Sequence, residues 1–441
     1  MGMKALRQGF STGACAAAAC AAAWRRGRGE RVDAIDLVFP DGNIRTLRLI
    51  PASPVDDPVE APACAGRAAV IKDGGDDPDE THGATIHARI RPADPDEATE
   101  RDYLLNVGGA RLILRAAEGV GLCTRPGLDC DPGKWAINVV PRRMITENLA
   151  RAGMNAGVWL AEIGVERGAE LAVRTLNSRL GVIGGLSILG TSGIVRPYSH
   201  EAYAAAIRLC VRALREEGGR DIVFCTGGRT RAGAQRRLPD LPETAFVAMG
   251  DFIGVALTAA RECDMRRITV ACMPGKLCKY AAGLDNTHAR RADQDLALLR
   301  REAEAALAAT SPNTRSPSGR PEGGQSEGGR PGGALSPDEA DGPDRAGGAN
   351  QSGQSDGAGL PEGFAACASV REALPLLPAD ARAELLRRLA QAALRAFAAR
   401  PAKPGDERPG ETRIDTPPPR LRLLVFDVDG HLLLDVDDGN A

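Results

Sequence analysis

The chain has 441 residues, 56 basic and 58 acidic side chains and a formal net charge of −2. That is room for two or three domains with a substantial core, and charge spread this evenly lacks the basic stripe of a nucleic-acid protein. No apolar run approaches the ~20 residues of a membrane span, and no cleavage pattern follows the alanine-rich N-terminal stretch, so the expectation is a cytoplasmic protein with neither nucleic acid nor membrane as partner.

Phe10-Ser11-Thr12-Gly13 leads into ACAAAACAAAW, a strong helix by propensity with Ser11 or Thr12 as N-cap. Such a helix end is either an ordinary capped terminus or a seat for an anionic ligand. Ala34 to Phe39 and Ile44 to Ile50 alternate as strands around Pro40-Asp41-Gly42-Asn43, which predicts a hairpin. Cys64 to Lys72 and Ala84 to Arg91 read as two further strands. Between them Asp76, Asp77, Asp79, Glu80 and His82 crowd around Pro78. This run is either a solvated acidic turn or a site that holds polar groups or takes a proton; its spacing lacks the EF-hand pattern. The stretch from Gly119 to Met144 is bounded by glycine and proline, with Arg142 and Arg143 opening a helix-like segment after Pro141.

The stretch the chain is organised around is Gly181 to Ser199. Gly181, Gly184, Gly185, Gly190 and Gly193 are interleaved with apolar residues and with Ser187, Thr191, Ser192 and Arg196. Glycine at this density requires positive φ or close backbone approach, either to a ligand or to another chain segment. Pro197 and Ser199 then open a helix over His200 to Glu217, and a glycine turn feeding a helix N-terminus is a place where anions and nucleotides bind. The spacing matches neither the dinucleotide fingerprint nor a Walker loop.

Beyond this stretch, strands Asp221 to Thr226, Thr244 to Met249 and Arg267 to Met273 alternate with helices such as Phe252 to Cys263. Each strand ends in a loop, at Gly227-Gly228, Gly250-Asp251 and Pro274-Gly275-Lys276, as ligand-binding parallel sheets do. Residues 311–363 are low in complexity and cannot bury enough apolar surface to fold, so they read as a disordered insertion. Ala379 to Arg400 is an amphipathic helix, Pro401 to Pro419 a linker, and Asp429-Gly430 the turn of a last hairpin between Leu421–Asp427 and Leu432–Val436. VFDVDGHLL within that hairpin resembles the nucleophile motif of haloacid-dehalogenase-type phosphatases. That chemistry belongs at the start of a large α/β domain, and here only twelve residues follow Asp429. The fold expected is therefore α+β over 1–199, a Rossmann-like α/β domain over 200–310, the insertion over 311–363, and a helix and hairpin over 364–441 that complete the body. Eleven scattered cysteines without a C-x-x-C pair read as reduced, mostly buried thiols, not as a zinc site.

GFSTGACAAAA (9–19), GGDDPDETHG (74–83), GVGLCTRPGL (119–128), AINVVPRRMI (136–145), TLNSRLGVIGGLSILGTSGIVRPYS (175–199), GDFIGVAL (250–257) and GKLCKYAAGLDNTHARRAD (275–293) occur in one order over about two thirds of the chain. Together they resemble the cobalt-precorrin-5B C1-methyltransferase family of anaerobic cobalamin biosynthesis. Trp135 and Val139 stand where that family tends to have prolines, and Met273-Pro274 replaces a Gly-His-containing lead-in. The resemblance implies methyl transfer from S-adenosylmethionine to carbon 1 of a cobalt-corrin substrate, giving cobalt-precorrin-6A. It implies no protein-bound metal, since the cobalt belongs to the substrate. Arg142, Arg196, Lys276 and His288, with Ser11, Thr12 and Asn286, are the candidates for the substrate's carboxylates and edges. Gly184, Gly185, Ser187, Gly190, Thr191, Gly193, Thr226, Gly227, Gly228 and Asp251 are candidates for the donor. Asp77, Asp79 and His82 are candidates for orienting the nucleophilic ring edge or moving a proton. A nucleotide-dependent oxidoreductase and a non-enzymatic tetrapyrrole-binding protein are the alternatives from other classes, and a homo-oligomer is compatible with the chain.

Overall fold

The structure, a computed structural model, describes residues 6–51, 65–288, 293–311, 359–400 and 417–439. Cys64, nearly all of the 311–363 insertion and most of the 401–419 linker lie outside the described residues. The protein is mixed α/β, built on two five-stranded sheets.

The first sheet belongs to the N-terminal part. Helix α1 (Thr12–Gly27) is buried from Thr12 to Trp24. A helix apolar on every face belongs in a core, and alanine makes this one thin enough to lie directly on the sheet: a Cβ at Gly66 would stand 2.0 Å from the Ala23 carbonyl oxygen. The expected hairpin forms between β1 (Ala34–Val38) and β2 (Ile44–Arg48). Strands β3 (Gly66–Ile71) and β4 (Thr85–Pro92) pair antiparallel across the acidic loop. Three strands without a distinct sequence signal complete the sheet: β5 (Tyr103–Val107), β6 (Ala110–Ala116) and, after helix α2 (Val139–Arg151), β7 (Val158–Val165). The order is β3-β4-β7-β6-β5, antiparallel except for the parallel β6–β7 pair. Its core runs from Ala14 to Ile188.

The second sheet follows α3 (His200–Glu216), whose N-cap Ser199 accepts from the Ala202 amide. Its elements are β8 (Asp221–Cys225), α4 (Gly228–Arg237), β9 (Phe246–Ala248), α5 (Ile253–Glu262), β10 (Arg267–Cys272), α6 (Pro274–Ala281), α7 (Leu296–Thr310), α8 (Ala379–Ala398), β11 (Arg420–Phe426) and β12 (Leu432–Asp437). The order is β9-β8-β10-β11-β12; the first four strands are parallel and only β12 runs against them. The C-terminal hairpin is thus present, but it is not a free-standing pair. Arg420 to Val425 lie in parallel register with Arg267 to Cys272, so β11 extends the parallel sheet and carries Asp427 to the same edge as the β8, β9 and β10 loops. The core here runs from Ile207 to Val436.

Candidate active site

The glycine stretch lies in the body as an irregular strand. Val182–Ile183 pairs with Leu122–Cys123, and Ile194–Val195 with Gly9–Phe10. Between these ends Leu186 donates to the Gly119 carbonyl (2.8 Å), the Gly121 amide to Leu186 (2.9 Å) and the Gly13 amide to Leu189 (2.9 Å). The glycines permit this approach. A Cβ at Gly185 would stand 2.4 Å from the Gly119 oxygen, one at Gly190 2.3 Å from Ser11 Oγ, and one at Gly193 2.6 Å from the Phe39 ring. Ser187 turns inward and donates to Asn177 Oδ1 (3.1 Å). Thr12 Oγ1 donates to the carbonyls of Ser187 and Leu189 and accepts from the Leu189 amide. Ser11 caps α1 through the Ala14 amide. Ser11, Thr12, Ser187, Gly185, Gly190 and Gly193 therefore hold chain to chain; of the two readings of this helix end, a capped terminus or a seat for an anion, the contacts match the first, with the Gly13 and Ala14 amides taken by the protein. Gly184 and Thr191 remain exposed, and Arg196 is exposed without an ion pair among the described residues.

The acidic loop is organised by Lys72, which is 1% exposed. Its ammonium pairs with Asp79, which also accepts from the Thr81 amide and hydroxyl. Burial alone would raise the Asp79 carboxyl, but the Lys72 ammonium and the Thr81 donors outweigh it and hold the pKa below the usual range. Asp79 is an ionised structural anchor, a poor proton acceptor. His82 Nδ1 accepts from the Gly74 amide (3.0 Å), and its ring is half exposed. Asp77 Oδ1 accepts from the Tyr198 amide (2.9 Å), which ties this loop to the exit of the glycine stretch. Tyr198 itself sits at φ +53, a conformation that costs a bulky residue energy.

From Tyr198 the chain enters α3, and its first residue reaches the second sheet. The His200 ring lies 6.3 Å from His288 and 5.3 Å from Phe252, on which Tyr203 stacks at 5.0 Å. Beside them, at the C-terminal ends of β9 and β10, Asp251 Oδ1 accepts from the Lys276 ammonium and from Thr287 Oγ1 (2.9 Å). Lys276 also donates to Thr287 Oγ1 (2.8 Å), and the Thr287 amide donates to the Asp251 carbonyl (3.0 Å). Burial opposes ionisation of Asp251, yet Lys276 and Thr287 keep its pKa below the ordinary range. Its Oδ2 has no hydrogen bond among the described residues. Asn286 Oδ1 accepts from the His288 amide (3.0 Å). At the neighbouring β8 end, Thr226 lies 3.4 Å from the Thr230 hydroxyl, and open space stands where Gly227 and Gly228 would carry a Cβ.

The structure thus brings Asp77, Tyr198, His200, His288, Asp251 and Lys276 into one chain of contacts across the two sheets. Arg142 is elsewhere: it stacks on the Tyr103 ring at 3.9 Å, and the Tyr103 hydroxyl donates to the carbonyl of Trp135 (3.1 Å), which with Arg101 and Arg115 lines a cavity of about 720 Å³. Among the described residues, Asp427, Asp429 and His431 are close enough to share a cation. Asp427 there accepts from the amides of Asp429 and His431, which closes the turn.

A family model described as CbiD matches residues 1–197. A cobalt-precorrin-5B C(1)-methyltransferase of Burkholderia mallei (strain ATCC 23344) is 42% identical over 298 residues, 67% of this chain and 76% of that protein. The one of Pseudomonas aeruginosa (strain UCBPP-PA14) is 42% identical over 311 residues, 69% of this chain and 79% of that protein. The chain belongs to the CbiD family. A relative of the same name from Dechloromonas aromatica (strain RCB) is 41% identical over 70% of this chain and 74% of its own length. A crystal structure of cobalamin biosynthesis protein (cbiD) from Archaeoglobus fulgidus is similar over 63% of this chain and 80% of that one, at 23% identity and a TM-score of 0.34.

In this CbiD chain the family model takes in the acidic loop and the glycine stretch, while Asp251, Lys276 and His288 lie beyond it. Lys72, Tyr198, His200 and Thr287 join the candidate residues in these contacts and were not among the residues expected there. Thr287 stands inside the DNTH motif and was open to discovery there. Lys72 carried no signal, because a strand-end lysine is ordinarily exposed.

Proposed function

We propose that this chain transfers a methyl group from S-adenosylmethionine to carbon 1 of cobalt-precorrin-5B, giving cobalt-precorrin-6A. The observation that carries the reading is 42% identity to curated methyltransferases of that name over about three quarters of their length. In this reaction the bond from sulfonium sulfur to methyl breaks, a carbon–carbon bond forms, and the electron pair leaves on sulfur. Such an in-line displacement asks the protein for position and for exclusion of water, not for a nucleophile of its own.

We read the four parallel strands as a Rossmann-like half and place the donor at their C-terminal edge. Gly227 and Gly228 leave the N-terminus of α4 accessible to it, and Asp251, ionised and with no hydrogen bond at Oδ2 among the described residues, accepts from its hydroxyls. Lys276, expected to bind substrate directly, acts here as the counter-ion that keeps Asp251 charged. The corrin lies toward the acidic loop, with His82 and His288 at its edge and Arg196 available to a carboxylate. Incubating the protein with cobalt-precorrin-5B and methyl-labelled S-adenosylmethionine tests this by mass spectrometry. One labelled methyl group on the corrin is the expected product; a folded protein that binds both compounds and leaves the corrin mass unchanged overturns the reading.

A further inference from the structure

A cavity of about 340 Å³ opens between the two parts of the molecule, lined by Val173, Arg174, Ser178 and Arg179 from the first and by Glu243 from the second. Two guanidinium groups, Arg179 of the cavity wall and Arg231 of α4, converge on a single oxygen of Glu243. Arg179 Nε lies 3.5 Å and Arg231 Nη2 3.2 Å from Glu243 Oε1. One carboxylate thus faces two cations, which leaves a positive charge in excess. Both contacts are long for charge-assisted bonds, whereas the neighbouring Arg125–Glu217 pair closes to 2.5 Å. The Arg231 side chain is only 13% exposed, while that of Glu243 is 63% exposed and free to swing into solvent. Burial and the adjacent Arg179 charge both depress the Arg231 pKa, so this cation gains from a closer anion. Arg174, on the same wall, pairs with Glu80 of the acidic loop at 3.3 Å, which joins the cavity to the region where the corrin edge is placed.

We propose that Arg179 and Arg231 form a carboxylate-binding site for the corrin substrate, and that Glu243 is a resident counter-ion which the substrate displaces. The inference rests on the methyltransferase reading, because that substrate is a polycarboxylate. A guanidinium fork matches a carboxylate in shape as well as in charge, and contributions from both parts of the chain let one substrate arm bridge them.

The test uses the full chain and two cobalt corrinoids, one with free side-chain carboxylates and one with those carboxylates amidated. Binding is followed by visible absorbance and melting temperature is recorded alongside. Arg231→Gln and Arg179→Gln should each weaken the polycarboxylate by about ten- to a hundredfold and leave the amidated corrinoid unaffected. Glu243→Gln should tighten the polycarboxylate several-fold, because it removes a competitor without removing a donor. Should Arg231→Gln fail to fold, Arg179→Gln and Glu243→Gln, at more exposed side chains, carry the test. If Glu243→Gln weakens binding and lowers the melting temperature together with the arginine variants, the trio is a structural clasp and the site is refuted. Arginine variants that bind both corrinoids like wild type refute it equally. Wild-type protein that binds neither corrinoid and transfers no methyl group overturns the function itself, and the site with it.

Discussion

Three glycines of the central stretch separate backbone strain from steric contact, and alanine at each measures one combination. Gly184 has φ +84 with open space around the position of a Cβ. Alanine there meets only the cost of the left-handed region, about 1–2 kcal/mol. At Gly185 no positive φ is involved, but the new Cβ would lie 2.4 Å from the Gly119 oxygen and 2.5 Å from its carbonyl carbon. Those are backbone atoms fixed by the Leu186-to-Gly119 hydrogen bond (2.8 Å), so the neighbour cannot rotate away. Overpacking of this kind costs about 1–3 kcal/mol, toward the upper end when the obstacle is rigid. Gly193 combines φ +76 with a contact of 2.6 Å to the Phe39 ring and 3.2 Å to Met144 Cε, and the two penalties together come to about 2–5 kcal/mol. Denaturant unfolding followed by fluorescence and circular dichroism should therefore rank the losses Gly184→Ala, then Gly185→Ala, then Gly193→Ala. A Gly184→Ala variant as unstable as Gly193→Ala would refute the argument that the glycines serve close backbone approach.

Lys72→Met leaves Asp79 buried without its cation and should cost about 3 kcal/mol or more at neutral pH. The Asp79 pKa is depressed in the folded state, so its contribution is full above the unfolded carboxyl value of about 4 and is lost as pH falls through the lower folded value. A stability curve from pH 7 to pH 2 should show a shallower acid limb in the variant, and an unchanged limb would contradict the pairing. Asp251→Asn should weaken S-adenosylmethionine about tenfold with corrinoid affinity held within about twofold; calorimetric titrations that move both affinities together would place Asp251 outside the donor site. Burial pushes the thiols of Cys15, Cys20, Cys225 and Cys272 up to about 12, so iodoacetamide at pH 8 should leave these four unmodified until the protein is unfolded. Peptide mapping that finds them alkylated in the native protein would contradict their burial.

Local chemistry alone made several elements legible. The Asp41-Gly42 turn between alternating residues announces the β1–β2 hairpin, and the β3–β4 pair brackets its acidic run. The strands of the second sheet declare themselves by short apolar runs that end in glycine. Ser199 before an amphipathic run marks the start of α3. In each case a few neighbouring residues carry the whole signal, because turn dihedrals, capping and hydrophobic periodicity depend on adjacent positions.

What the glycine stretch does was not legible in this way. Density of glycine says that backbone must come close to something, and only the fold shows that the partner of Gly185, Gly190 and Gly193 is the chain itself, at Gly119, Ser11 and Phe39. The parallel seating of β11 beside β10 was equally hidden, because a hairpin reads the same whether or not a distant strand pairs with its outer edge. The seating of β5, β6 and β7 and the meeting of Arg179 with Glu243 belong to the same class. The sequence by itself determined the family, the local elements and the supply of charged and glycine residues. Which of those residues face one another was decided by tertiary structure alone, since contacts across tens of positions in the chain impose no periodicity that a single sequence can display.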